Sequence, residues 1–327
     1  MAVIYQGLGD TETALELNLK ALKVRELNYE PDHIDLADSY YHLGKVYMWR
    51  SDVKRSISFL KKALTIQEKK LNQNDFHLGG TLYFLGWAYY YTPHLDTAVA
   101  YHNRALKIYE SMKEETLVPL SKSYQGLAAT YARIPEVMLD DFKDSAGNLD
   151  SVKWEKFKDE SFEKSLNFRK EAVSLYENIY DSRHPNLADG YRGLAINYRK
   201  LEQYDSSLSY FHKALNIYEA AYKGPHLRVA GCYENLASVF IAQKQYETAL
   251  EKLQKSLEIN FELHGQNHYV NGEIFQKMAE SYLGLKLYKQ ALSNVNKAKQ
   301  IWEKFDSFPE KKTATLELEK EIKSAMG

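Results

Sequence analysis

The sequence predicts an all-α chain, a right-handed α-solenoid of seven helix pairs closed by a C-terminal capping helix. Two observations predict it. A short apolar pattern recurs at a fixed interval along nearly the whole chain, and within each copy the apolar residues are spaced for helices.

The interval is read from one anchor. Leu43, Leu85, Leu127, Leu194, Leu236 and Met278 sit in similar strings, from YHLGKVY and YFLGWAY to YENLASVF and FQKMAESY. The steps between them are 42, 42, 67, 42 and 42 residues, so one copy carries 25 extra. Counting back 42 from Leu43 reaches Met1, and Tyr5 then matches Tyr47. The second half of each copy repeats as well. Ala21, Ala63, Ala105, Ala172, Ala214, Ser256 and Ala298 share one register. Ala14, Ser56, Ala98, Ser165, Ser207, Ala249 and Ala291 share another. A fixed period of this size is the mark of a repeat architecture.

Each copy reads as two helices. Tyr191, Leu194, Ala195 and Tyr198 lie three and four apart, which gathers them on one helical face. Tyr204, Leu208, Phe211, Leu215 and Tyr218 do the same after the polar turn Leu201-Glu202-Gln203. The small residue after each anchor (Gly44, Gly86, Ala128, Ala195, Ala237, Ala279) lets helix axes approach to roughly 8 Å. One helix pair cannot hide its apolar stripe alone, so neighbours must stack.

These strings resemble the tetratricopeptide repeat, with its aromatic, Leu-Gly/Ala, Tyr and later Ala-Leu signature. The 42-residue period is similar to the subclass found in kinesin light chains and many bacterial regulators. That subclass carries an Asp-His-Pro-x-Val-Ala-like linker, matched here by Asp32-His33-Ile34-Asp35-Leu36-Ala37 and His184-Pro185-Asn186-Leu187-Ala188. His226-Leu227-Arg228-Val229-Ala230 and Asn267-His268-Tyr269-Val270 are further copies, while the linkers near Asp75 and Leu117 depart from it. The array is expected over residues 1–309, with its first helix cut short at Met1. Residues 310–327 are expected to cap it, with Leu316, Leu318 and Ile322 facing inward. The insertion at about 134–158 is expected as a surface excursion between the two helices of the fourth repeat. A short helix is expected near Val152 to Phe157.

Composition narrows the function. Lysine and arginine number 43 against 44 acids, without the positive excess of a nucleic-acid binder. The uncharged stretch from Gly79 to Pro93 is too short to span a bilayer. Cys232 is the sole cysteine, so no internal disulfide is possible. A cytoplasmic protein with no membrane or nucleic-acid partner is expected. His184, His226 and His268 recur at 42 residues and His33 shares their register, so each lies at least one repeat, about 10 Å, from the next, too far to share a metal ion. His264 and His268 lack the glutamate of a zinc-protease motif, and Gly7-Leu8-Gly9 lacks the third glycine of a dinucleotide loop. The acidic residues of the insertion do not follow the spacing of a calcium loop. No nucleophile stands beside a base, so no catalytic, metal or cofactor site is expected.

What remains is binding. Positions beside the anchors on the first helix of each repeat are expected to line a concave groove for a protein or peptide. In repeats two and three they are Tyr41, His42, Met48 and Trp49, then Tyr83, Phe84, Trp87, Tyr90 and Tyr91. In repeats five to seven they are Arg192, Arg199 and Lys200, then Glu234, Asn235 and Ser238, then Lys277 and Glu280. The first group would hold apolar anchors of a partner and the second would orient it by charge. Asn235 matches the asparagine with which peptide-binding relatives hold a ligand backbone. The resemblance implies a scaffold or adaptor. It implies as alternatives the sensor region of a larger enzyme, such as a caspase-like protease or histidine kinase, or a regulator of a phosphorelay.

Overall fold

The computed structural model describes residues 11–112, 116–145, 147–305 and 308–326. The truncated first helix expected over Met1 to Gly9 lies outside the described residues. Fourteen α-helices are described, in two compact units, residues 1–179 and 180–327.

The first unit holds α1 (Thr11–Asn28), α2 (Ile34–Trp49), α3 (Val53–Lys70), α4 (Phe76–Tyr90), α5 (Leu95–Ser111), α6 (Leu117–Met138) and α7 (Ser151–Ile179). The second holds α8 (Pro185–Lys200), α9 (Tyr204–Ala221), α10 (Leu227–Ala242), α11 (Tyr246–His264), α12 (Tyr269–Gly284), α13 (Tyr288–Trp302) and α14 (Pro309–Ala325). Within each unit successive helices pack on one another as antiparallel pairs, α2 on α3 and α8 on α9 for example.

The registered residues are the core. Leu43, Leu85, Leu127 and Leu236 are fully enclosed, and Leu194 and Met278 nearly so. Truncating one such leucine to alanine costs about 2–5 kcal/mol. The small register also carries a recurring polar bond. Ser56 Oγ donates to the Gly44 carbonyl at 2.8 Å, Ser165 to Ala128 at 2.6 Å and Ser207 to Ala195 at 2.8 Å. In each case the second helix of a repeat bonds the first at its closest approach.

The turns recur too. The linker histidines His33, His184 and His226 cap the following helix, their Nδ1 accepting from the backbone N–H two residues on at 3.1–3.2 Å. Asp75, in the same register, does this with its carboxylate, accepting from His77 N at 2.7 Å. Each capping histidine also stacks on a ring four residues earlier, closest at Tyr222 and His226 with centroids 3.5 Å apart. Inside the repeats the first helix ends with a left-handed residue, Ser51, Glu202, Lys244 or Lys286, at φ near 60°. The next N–H then reaches back five residues, as from Gln203 to the Tyr198 carbonyl at 2.8 Å.

Two expectations are corrected. The insertion is largely helical. α6 runs on through Pro135 to Met138, a 3₁₀ turn covers Leu139–Phe142, and Val152 to Phe157 belong to the 29-residue α7. Phe142, Trp154 and Phe157 pack together at 4.9–6.2 Å between centroids, enough apolar surface to hold the extension helical. Lys143 and Leu149 form a single antiparallel bridge at its tip. In α14 the inward stripe is Thr315, Leu318 and Ile322, while Leu316 is 46% exposed. Positions 315, 318 and 322 share a face and 316 is turned about 100° from 315.

Candidate functional site

Five aromatic contacts run along the first helices of repeats two and three. Tyr41 on α2 meets Phe84 on α4 edge-on, with centroids 5.7 Å apart. From Phe84 the chain continues to Tyr83 at 5.2 Å, Trp87 at 6.4 Å, Tyr90 at 5.2 Å and Tyr91 at 5.0 Å. Edge-to-face geometry at these separations is attractive, so the row is held as a unit. Its members are half-buried, except that Tyr91 is 57% exposed; nearby Trp49 is 46% exposed. Met48 is partly buried against the core of the first unit. His42 sits beside Tyr41 and approaches Asp38 with its Nε2 at 3.4 Å.

Burial marks the row electrostatically. The Tyr41 and Tyr83 phenols are pushed up to about 12, chiefly by loss of water around the charged form. They are neutral donors at any physiological pH. At one end Arg133 of α6 lies 4.9 Å from the Tyr90 ring centre. At the other, the Lys45 ammonium lies 5.1 to 5.6 Å from the rings of Tyr41, Phe84 and Trp49.

Behind the row is His102 of α5. It is fully buried, neither ring nitrogen has a hydrogen-bond partner, and burial pushes its pKa down to about 3. Tyr83 and Trp87 meet its ring at 5.9 and 5.7 Å. Lysine 45, Arg133 and His102 were missed in the sequence. Lys45 shares the register of Trp87 and so was legible; the register of His102 is a core slot held by Leu60, Phe211, Leu253 and Val295 in four other repeats and by Asn18 and Arg169 in two.

In the second unit the candidate residues are half-buried and mostly charged. Lys277 of α12 pairs with Glu234 of α10 at 2.6 Å. Glu280 is held above the usual carboxylate range by burial. Arg199 of α8 is depressed by burial, and its Nε lacks a partner. Arg192 lies near Tyr218, whose hydroxyl donates to Asp189 at 2.6 Å. Asn235 spends its amide on its own helix, donating to the Gly231 carbonyl at 2.6 Å. Ser238 likewise bonds the Glu234 carbonyl at 3.1 Å, and Lys200 closes the group at the end of α8.

Cys232 is buried and its thiol donates to the Phe211 carbonyl at 3.4 Å. His264 and His268 stack at 4.2 Å. In the insertion Asp144 accepts from Asn148 N at 2.8 Å, and Asp140 and Asp150 pair with Lys143 and Lys153. Among the described residues no helix is long and apolar enough to cross a membrane.

No curated protein matches this chain. Solved structures of the same fold include BtubC (BKLC) from P. vanneervenii, 17% identical with TM-score 0.55, covering 78% of this chain and 92% of that one. Another is a Signal Transduction ATPase with Numerous Domains protein with a tetratricopeptide repeat sensor from Pyrococcus horikoshii. It is 17% identical with TM-score 0.61, covering 90% of this chain and 39% of that one. A third is a Rap protein complexed with competence and sporulation factor, 13% identical with TM-score 0.54, covering 95% and 85%. The tetratricopeptide repeat family model matches residues 1–69, 41–111, 156–220 and 188–262. With the 42-residue register and the linker histidines, this makes the chain a member of the tetratricopeptide repeat family.

Proposed function

We propose that this protein is a cytoplasmic scaffold or adaptor that holds a protein or peptide and catalyses nothing itself. The partner lies against the first helices of the repeats, and its apolar side chains seat on the aromatic row from Tyr41 to Tyr91. One observation carries the reading: five rings on α2 and α4, with Tyr91 at the C-cap of α4, form a continuous, partly open apolar strip. Aromatic surface of that kind is costly to leave wet and is enriched where proteins bind. The core accounts for the registered leucines and alanines but does not need Trp49 or Tyr91 outside it.

In the second unit the equivalent faces offer Lys277, Glu234, Arg192 and Arg199, suited to polar parts of a partner. Residues 1–309 would act as the binding array and residues 310–327 as its cap, α14 covering Ala279, Ala291 and Val295 with Leu318 and Ile322. The same fold occurs in the tetratricopeptide sensor of the Pyrococcus horikoshii ATPase and in the Rap complex. The reading rests on the aromatic row and not on those proteins' roles.

The test uses two double variants. Trp49→Ala with Tyr91→Ala removes exposed rings at little structural cost; Tyr83→Ala with Trp87→Ala removes the centre of the row. Proteins captured by the intact chain and identified by mass spectrometry should be lost with both variants while far-UV circular dichroism is unchanged. Retention of the same partners by both removes the proposal.

A further inference from the structure

Between α2, the end of α3 and the start of α4 lies a cavity of about 210 Å³, room for one aromatic ring with a short arm. Ile34, Tyr41, Leu71 and Phe76 give it apolar walls. Asp35 and Asp38 stand at its mouth with half-exposed side chains, and Gln67 of α3, only 3% exposed, forms its floor. The repeat explains the space. Gln67 occupies the slot held by Tyr109, Tyr176 and Tyr218 in repeats three to five and by Trp302 in the seventh, with Arg25 and Asn260 in the others. Asp38 shares the register of Asp189, and His77, also in the lining, shares that of Arg228. There the three slots close on one another. Tyr218 is fully enclosed, its hydroxyl donates to Asp189 at 2.6 Å, and Arg228 Nη2 lies 3.0 Å from the other carboxylate oxygen. Where the array fills this place itself, it sets a donor-bearing ring and a cation on the aspartate.

At Gln67 the chain brings no ring to that place. The amide stops short of where a phenol would reach, and its Oε1 is buried without a hydrogen-bond partner, which is unfavourable. Asp38 has only long contacts, to Arg25 at 3.3 Å and to His42 at 3.4 Å. The Asp35 carboxylate meets His33 Nδ1 at 3.8 Å, but that nitrogen already accepts from the Asp35 N–H and has no proton to give. No lysine or arginine pairs with the Asp35 carboxylate among the described residues, and none is part of the lining. A carboxylate accepts up to about four hydrogen bonds, so both acids have capacity left. One end of the cavity thus calls for a donor and the other for a cation, with apolar walls between them.

We infer that this cavity binds a small arylalkylamine, a flat ring with a hydroxyl or N–H donor at one end and an ammonium group on a short arm at the other. The ring takes the place that the Tyr218 ring takes in the fifth repeat, against Tyr41 and Phe76. Its polar tip donates to Gln67 Oε1, and the ammonium group sits at the mouth on Asp35 and Asp38. Apolar walls disfavour a bare cation, and two acids without a lysine or arginine beside them in the lining disfavour an anion. The site goes beyond the peptide-binding reading and does not depend on it, although Tyr41 borders both places.

The experiment is calorimetric titration of the full chain with tyramine and with two compounds that each lack one of its groups. Phenethylamine has no hydroxyl and 4-ethylphenol has no ammonium. Tyramine should saturate a single site, and each of the other two should bind about tenfold more weakly. Asp35→Asn should weaken tyramine about tenfold and leave 4-ethylphenol within about twofold. Gln67→Tyr installs the residue that three other repeats carry in this slot, so the far-UV circular dichroism should persist while tyramine binding disappears. The tripeptide Tyr-Gly-Gly presents the same ring and ammonium at a chain end. If it binds more tightly than tyramine, the free amine is overturned as occupant in favour of a peptide terminus. No binding of tyramine, equal binding of 4-ethylphenol, or tyramine binding unchanged in Asp35→Asn and Gln67→Tyr would each overturn the site.

Discussion

Gly86 and His102 share one space: the Cβ of an alanine at position 86 would fall 2.5 Å from the His102 Nδ1. Gly126 approaches the same ring from α6, where a Cβ would meet Cε1 at 2.5 Å. The histidine is therefore wedged between the first helices of two repeats, with no room to turn. Gly86→Ala should cost about 1–3 kcal/mol by overpacking, read as a lower urea midpoint. A variant as stable as the parent would show that the ring can move aside.

His102 should make stability fall in acid. Its folded pKa is about 3 against an unfolded value of 6.5, so between those limits the unfolded chain binds a proton that the folded one refuses. Stability is full above pH 6.5 and declines as pH drops, by up to about 1.4 kcal/mol per unit. Depressed carboxylates such as Asp38 also weaken the fold at lower pH. His102→Leu, with the residue that Leu60 and Leu253 supply in this register, separates the two. Urea titrations at pH 7 and pH 5 should show a markedly smaller loss for the variant. An unchanged loss would assign it elsewhere.

Lys244 and Lys286 hold φ of 60° and 59° at the ends of α10 and α12. A residue with a Cβ pays roughly 1 kcal/mol or more in this conformation, and glycine does not. Lys244→Gly should therefore raise the melting temperature, while Lys244→Val should lower it. The same order is expected at Lys286.

Cys232 should resist alkylation until the second unit opens. Burial pushes its thiol up to about 12. At pH 8 the thiolate fraction is then on the order of a thousandfold below that of a free cysteine. Iodoacetamide labelling followed by mass spectrometry should be slow in buffer and fast in urea. Rapid labelling of the native chain would mean that α10 frays.

Much of this fold was legible in the sequence because repetition turns packing into a count. The leucine anchors and the small residues at 14, 56, 98, 165, 207, 249 and 291 are all enclosed, and the pattern named them without any coordinates. In the insertion the turn at Gly147 and a helix over Val152 to Phe157 were legible, but not that the flanking helices run on into it, because Phe142, Trp154 and Phe157 meet only once both are extended. In α14, Leu316 is apolar and close in sequence to the stripe but lies off its face. The candidate site was half legible. The rings of α2 and α4 follow from register, but a period reports residue type at one slot. It does not report what crosses from a neighbouring helix, as His102 and Gly126 do.

The long α7 begins at Ser151, eleven residues before Phe162, the position matching Tyr204 at the start of α9. Eleven residues are about three whole turns. Trp154 thus points the same way as Ser165, which bonds α6 through the Ala128 carbonyl. Extra length has been added in units that leave the rotational phase of the helix untouched. By this rule, lengthening or shortening the spur by eleven residues should be absorbed, whereas a change of five or six would swing its rings to the solvent side.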